Sequence, residues 1–442
     1  MKTLCQPDPV TSAKDGIDYR IAVFFLILLC AVPPLMQVDL SFVLGNHLSI
    51  AEPYSEADVL RAAHNYYDNG FRINAGLADI DYGDDYPFEG DVMLHHGLSH
   101  FIYTHYPPGP EILAGLMMKV LGPGHVPWMR LLPITVSFAG ALFFAFRLWS
   151  WFGYMRAAGF MLLLALTPAY GNMMLGLHQQ GYQQGILFME LALLIGVFCE
   201  NEVLDLKSTG LLFLIGFVQG WLTFDYFFIT VLAPLVAFTL KDNLKKGYKS
   251  LAISIAALTA GFGFAHALHF LQVIIYYGSL HAAWADIGTT ALYRAGGDQT
   301  SFPGLAERLD LIWTYLTAYA QTLGYYTVSL IPVYGAMIAT GALLSRIKIP
   351  MRRRPAIDRL LLVLIVGNIV SLLWIGLMYT HAFYNANVVP RHLIVGFIAP
   401  LLYLFKNTVF TDTHNEIAGR PLTSRKTSSK KAVNVAVLTE TI

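Results

Sequence analysis

Carboxylates and imidazoles stand out against a largely apolar chain, and their surroundings sort them. Glu56 and Asp58 lie in "SEADVLRAAHNYYDNGF", Asp225 in the middle of the apolar run 209–240, and Glu190 inside "ILFMELALLI". An ionisable group within an apolar run is costly and faces a cavity or a partner. For Glu190 the alternatives are such a cavity and a buried hydrogen bond made by the protonated side chain. Asp225 marks a turn, where a carboxylate facing outward can act on an acceptor group; its plainer role is to cap the following helix 226–240. His95, His96, His100 and His105 ("HHGLSHFIYTH") include an i,i+4 pair, the spacing of metal ligands on a helix. With no carboxylate or cysteine fixed beside them, a hydrogen-bonded polar loop is the favoured reading and a divalent metal site the alternative. His266 and His269 ("FAHALHFL") share one helical face, as a satisfied pair between helices would.

The elements that must position these groups are membrane helices. The chain is 55% hydrophobic and 13% charged, with a mean hydropathy of +0.52, a composition that excludes an ordinary soluble domain. Apolar runs long enough for a bilayer core, about 20 residues each, recur at about 21–38, 127–147, 157–175, 183–199, 210–224, 226–240, 250–275, 322–344, 357–378 and 391–405. The stretch 209–240 is too long for one crossing and is read as two short helices turning at "TFDYF". The expected fold is therefore all-α, a polytopic membrane protein of about ten transmembrane helices. Its membrane domain covers 1–406, and 407–442 forms a polar, disordered tail.

Charge placement orients the chain. "RLWSWFGYMR", "KDNLKKGYK" and "SRIKIPMRRRPAIDR" fall on one side, and the acidic segment 39–126 falls on the other. The positive-inside rule then puts both termini in the cytoplasm. Net charge is zero, which argues against nucleic acid as a partner. Cys5, Cys30 and Cys199 stand singly, suggesting neither a disulfide framework nor a zinc site. The two long outer loops, 39–126 and about 276–321, are where function is expected; in the second, Asp286 and Arg294 either line a substrate approach or are solvated.

Within the first loop, Ser55 is placed to cap a helix ending at Gly70, with Val59, Ala62, Ala63, Tyr66 and Tyr67 at helical spacing. This helix is expected to lie at the membrane interface. The segment "THYPPGPEIL" follows. Pro107 and Pro108 stiffen their own backbone and the residues before them, so His105 and Tyr106 are presented rigidly. Residues 109–121 then form a short helix, with Pro110 in the first turn and Glu111 near the positive end of its dipole.

An acidic helix after the first span, a Tyr/His-Pro-Pro elbow, a short apolar helix and a span opening "WMRLLPITVSFAGAL" resemble the GT-C glycosyltransferases. The likeness is to protein O-mannosyltransferases and lipid A aminoarabinose transferases. It covers about residues 50–150, with a Gly-rich span ("GFVQGWLTFDYFF") and a late "NVVPRHLIVGFIAP" beyond. The resemblance implies transfer of a sugar from a polyprenyl phosphate carrier to an acceptor on the non-cytoplasmic face, with inversion, in a membrane like the bacterial inner membrane. A carboxylate would serve as general base and a cation would stabilise the leaving phosphate. Arg391 fills the second role, with Arg130 or Arg294 in support, while His105, Tyr106 and Glu111 shape the site.

The sequence departs from the family in two places. Counting back from Gly70 places Ser55 where the family has its catalytic Asp; Glu56 is kept, so the base falls to Glu56 or Asp58. The family's second acidic position corresponds to "GLHQQGYQQGIL", where His178 is the one titratable group and Gln183 and its neighbours can hydrogen-bond sugar hydroxyls. Asp225 is the possible replacement. No phosphate-binding loop or Rossmann fingerprint is present, so a soluble nucleotide sugar is not the expected donor. The alternative class is a non-catalytic polyprenyl-lipid-binding protein or transporter on the same scaffold.

Overall fold

In a computed structural model the chain is described over residues 19–48, 53–80, 102–165, 170–171, 173–200, 203–241, 244, 247–294, 306, 309, 357–378 and 389–407. The described residues are mostly helical. The helices are α1 (Tyr19–Leu44), α2 (Pro53–Asn69), α3 (Gly109–Leu121), α4 (Val126–Met129), α5 (Leu131–Phe152) and α6 (Tyr154–Ala165). They continue as α7 (Gln179–Phe198), α8 (Leu206–Leu222), α9 (Phe227–Thr239), α10 (Tyr248–Tyr277), α11 (Leu280–Arg294), α12 (Ile357–Leu377) and α13 (Val389–Asn407). One two-stranded antiparallel ribbon pairs β1 (Ala78–Asp79) with β2 (Ile102–Tyr103).

Among the described residues, four helical stretches are long and apolar enough to cross a membrane: Tyr19–Leu44, Val126–Phe152, Gln179–Phe198 and Tyr248–Tyr277. Leu206–Leu222 and Phe227–Thr239 are shorter apolar helices. The run 209–240 is thus divided at residues 223–226. Asp225 does not cap the second helix, however, because Tyr226 occupies the N-cap position. The expected span at 322–344, the tail beyond residue 407 and His95, His96 and His100 lie outside the described residues.

Apolar packing inside a bilayer draws little from water exclusion, so close backbone approach and shape do the work. Between α5 and α7, a Cβ on Gly140 would strike the carbonyl of Gly185, and one on Gly185 would strike the backbone at Val136 and Ser137. Deeper in that interface, Phe144 stacks on Phe188 at 5.2 Å and meets Phe160 edge-on at 5.9 Å. The most extensive helix contacts join α8 to α10, α5 to α7, α12 to α13 and α2 to α3.

The α2–α3 pair is built from the first outer loop. Helix α2 begins at Pro53, two residues before the expected cap, so Ser55 falls inside the first turn. A proline suits the first helical position because its missing N–H is one the helix leaves unbonded anyway. Val59, Leu60, Ala62, Ala63 and Tyr66 are buried, but so are Glu56, Arg61 and Asn65. The helix is therefore enclosed on most sides by protein, with Tyr67 on its exposed flank. Helix α3 has the expected bounds, opening after Pro108 and closing at Gly122.

Candidate active site

At the start of α2, Glu56 is fully buried and its carboxylate is clamped by Arg130, the residue between α4 and α5. Arg130 Nε donates to Oε1 and Nη2 to Oε2, each at 3.0 Å. The guanidinium also donates to the carbonyl of Gly45 at 3.1 Å and to that of His47. The Leu177 N–H reaches Glu56 Oε1 at 3.4 Å. One buried pair thus ties the end of α1, the start of α2, the head of α5 and the lead-in to α7. Two parallel bonds hold the carboxylate geometrically fixed. They also occupy the Arg130 donors that the resemblance would assign to a phosphate.

Asp58 lies one helical step on, bonded to Arg61 Nη1 at 3.2 Å. The third acid of this region is Glu111, in the first turn of α3, buried against α2. Its Oε2 has no hydrogen-bond partner among the described residues. Burial pushes the carboxyl up to about 8; its own backbone N–H pulls the other way, and the charge of Asp58 adds to the rise. Desolvation disfavours the charged form, which is how a carboxyl becomes a proton acceptor working near neutral pH. Tyr66, whose hydroxyl donates to the Gly76 carbonyl at 2.8 Å, is held well above the usual phenol range by burial and then by Glu111 and Asp79. Tyr182 of α7 is within electrostatic reach of both Glu111 and Glu56.

The proline elbow is what brings α3 to this place. Tyr106 stacks on Tyr103 at 5.5 Å on one side and on Phe224, in the turn between α8 and α9, at 4.8 Å on the other. Gly109 abuts the Trp221 carbonyl so closely that a Cβ there would overlap it. On the opposite flank, Thr104 Oγ1 donates to Asp286 of α11 at 2.6 Å, and His269 Nε2 of α10 donates to the Thr104 carbonyl at 2.9 Å. His105 Nε2 stands 3.9 Å from the same Asp286 carboxylate. The stiff backbone after Tyr106 thus docks three helices on one polar corner.

Beside the Phe224 contact, Asp225 is buried and accepts from Trp374 Nε1 of α12 at 3.2 Å. Its own N–H donates to Thr223 Oγ1 at 3.2 Å. Trp374 in turn stacks on His392 of α13 at 4.1 Å, and His392 meets Tyr226 at 5.4 Å. Arg391 precedes His392 in the first turn of α13, and Arg294 ends α11; both are placed by their backbone alone. His178 is the N-cap of α7, its Nδ1 accepting from the Gln180 N–H at 3.3 Å. The Gln183 carbonyl accepts from Gln219 Nε2 of α8 at 3.1 Å.

The structure brings Glu56, Asp58, Glu111 and Arg130 into one region and joins His105 and Tyr106 to it through the elbow. Asp225 belongs to a neighbouring cluster on the other side of the Tyr106–Phe224 stack. Sequence reasoning missed Tyr182, Gln219 and Trp374; the signal for Gln219 was a lone amide in the otherwise apolar "GFVQGW". Among the described residues, no group of three or more His, Cys, Asp or Glu is arranged to hold a metal ion. No known protein family, curated protein or solved structure matches the chain.

Proposed function

We propose that this chain is a glycosyltransferase of about ten membrane crossings, with both termini cytoplasmic. It moves a sugar from a polyprenyl phosphate-linked donor to an acceptor on the non-cytoplasmic side of a membrane such as the bacterial inner membrane. The observation that carries the reading is Glu111, a buried carboxyl with an oxygen that has no partner among the described residues and a pKa of about 8, set at the foot of the elbow. Ionised Glu111 takes the proton of an acceptor hydroxyl while that oxygen attacks the anomeric carbon. The carbon–oxygen bond to phosphate breaks, and polyprenyl phosphate leaves with its electron pair. Arg391, in the turn beside the Trp374–His392 stack, is the assigned partner of that phosphate, with Arg294 in support.

Glu56 and Arg130 are assigned a positioning role, since each already satisfies the other. Asp58 and Asp225 stay as secondary acids, each held by a donor. The clamp on Glu56 also favours the second reading, a lipid-binding protein or transporter that keeps the scaffold without chemistry. Transfer of radiolabelled sugar from a panel of polyprenyl phosphate donors in native membranes tests the choice. Loss of transfer in Glu111→Gln with retention in Asp225→Asn is the expected result. Wild-type rates in Glu111→Gln would remove Glu111 as the base, and no transfer by the wild type alongside binding of the carrier would put the second reading first.

A further inference from the structure

At the corner where the elbow meets α10 and α11, two side chains of α10 each make one hydrogen bond that fixes which way round they lie. His269 Nε2 reaches the Thr104 carbonyl at 2.9 Å, and Gln272 Nε2 reaches the Ala75 carbonyl at 3.2 Å. A carbonyl can only accept, so His269 carries a proton on Nε2 and Gln272 turns its amide nitrogen toward Ala75. What remains is His269 Nδ1 and Gln272 Oε1, both buried and both without a hydrogen-bond partner among the described residues. The two side chains stand three positions apart on one flank of α10 and within reach of each other. In a neutral imidazole both leftover atoms are acceptors, so no bond closes between them. A second proton, on Nδ1, creates a donor there and satisfies both atoms at once.

We infer that His269 is a proton-operated latch: its imidazolium bridges the Thr104 carbonyl and Gln272 Oε1, and so ties the elbow to the turn Ile73–Gly76 through α10. The latch stands whether or not the chain transfers a sugar. Asp286 of α11 supplies the opposite charge; it accepts from Thr104 Oγ1 at 2.6 Å and is within electrostatic reach of His269. His105 of the elbow and His266 of α10 also face the ring, and each opposes its charge when charged itself. Tyr277 reaches Thr104 and Asp286, and the turn Ile73–Gly76 brings no titratable side chain. His105 and Asp286 are 31% and 22% exposed, which gives the proton a way in from water. Loss of the proton leaves two lone pairs apposed. Gln272 relieves this by swinging its amide away, and the turn then loses the bond to Ala75. That turn holds Asn74 at φ 56 and Ala75 at φ 57, a backbone region that a Cβ disfavours, so outside contacts must hold its shape. Low pH thus locks the corner and high pH frees it.

The test is hydrogen–deuterium exchange of the full-length protein in lipid discs at pH 5.5 and pH 8, each protection factor corrected for the intrinsic exchange rate at that pH. The reporter is the Leu77 amide, which donates to the Asn74 carbonyl at 3.0 Å, and α5 is the internal control. Wild type is expected to protect residues 73–79 about tenfold more at pH 5.5 than at pH 8, because one linked proton changes an equilibrium by up to about tenfold per pH unit. Protection of α5 should not change. His269→Gln keeps a donor for Thr104 but takes up no proton, so the pH step should vanish. Gln272→Leu removes the tether and should leave the turn as weakly protected at both pH values as wild type is at pH 8. Since it keeps His269, it decides the matter even if His269→Gln does not fold. His105→Gln should retain the step. The inference is overturned if wild-type protection is the same at both pH values, if the step survives in either His269→Gln or Gln272→Leu, or if His105→Gln abolishes it.

Discussion

Replacing Glu111 by Gln keeps the shape and removes the ionisable carboxyl that the proposed chemistry turns on. With a pKa of about 8, about a tenth of the wild-type carboxyl is ionised at pH 7 and about nine-tenths at pH 9, so a rate that needs the base form rises about tenfold over that interval. In Glu111→Gln the transfer rate should fall by about 10²–10⁴ and lose its pH dependence. The same group predicts a second signal that needs no substrate. Its folded-state pKa lies above the ordinary value of 4.5, so the folded protein holds the proton more tightly than the unfolded chain. Stability is therefore greatest below about 4.5, is lost as pH rises, and stops falling once pH passes about 8. Between pH 6 and 9 the loss is about 3 kcal/mol from this one group. Melting of the purified protein, followed by tryptophan fluorescence across that range, should show the decline in wild type, and Glu111→Gln should be flatter by that amount. A flat wild-type rate between pH 7 and 9, or parallel melting curves for wild type and variant, would refute the assignment of Glu111 as an ionisable base.

Three further outcomes follow from named contacts. Arg130→Ala leaves the buried Glu56 carboxyl without its bidentate partner, so it should destabilise by roughly 3–5 kcal/mol; thermal melting in detergent checks this, with Arg130→Ala/Glu56→Leu expected to recover part of the loss. Gly109→Val places atoms into the Trp221 carbonyl and should cost about 1–3 kcal/mol by overpacking; thermal melting in detergent against the parent checks this, and an unchanged midpoint would refute the close approach. Ala75 has φ 57 and ψ 24, a left-handed conformation that disfavours a Cβ by about 1–2 kcal/mol. Ala75→Gly should raise the melting midpoint, and a drop would show that the lost methyl contacts outweigh the relieved strain.

How far the molecule was legible depended on the range of the forces involved. Helix α3 was readable to the residue because its signals are local: Pro107 and Pro108 stop one conformation, Pro110 starts another, and Gly122 ends it. The break between α8 and α9 was readable for the same reason, since a carboxylate at Asp225 is costly in the middle of an apolar helix. The start of α2 was misplaced because Ser55 is a good cap and Pro53 a good first-turn residue, and only the surrounding packing decides between them. The site itself is set by tertiary contacts. Nothing near Glu56 in sequence foretells Arg130, 74 positions on, and without that pair Glu56 looked like the base. Likewise the sequence places Glu111 near the positive end of its helix dipole but does not foretell its burial against α2.

The different settings of the two acids have one physical origin. The α2–α3 packing removes both acids from water, but it provides a cation to the first and none to the second. Desolvation with a bidentate partner holds a carboxylate fixed, whereas desolvation without one raises its proton affinity toward neutral pH. The elbow determines which acid receives which treatment. Tyr106 on Phe224 and Gly109 against Trp221 fix the height at which α3 begins, and so hold Glu111 beneath α2, within electrostatic reach of Tyr182. A stiff polar corner in an apolar chain is thus explained by what it positions: it buries the first acid of a short helix without a matching donor on its Oε2 among the described residues, and leaves Glu56 to hold the surrounding helices in place.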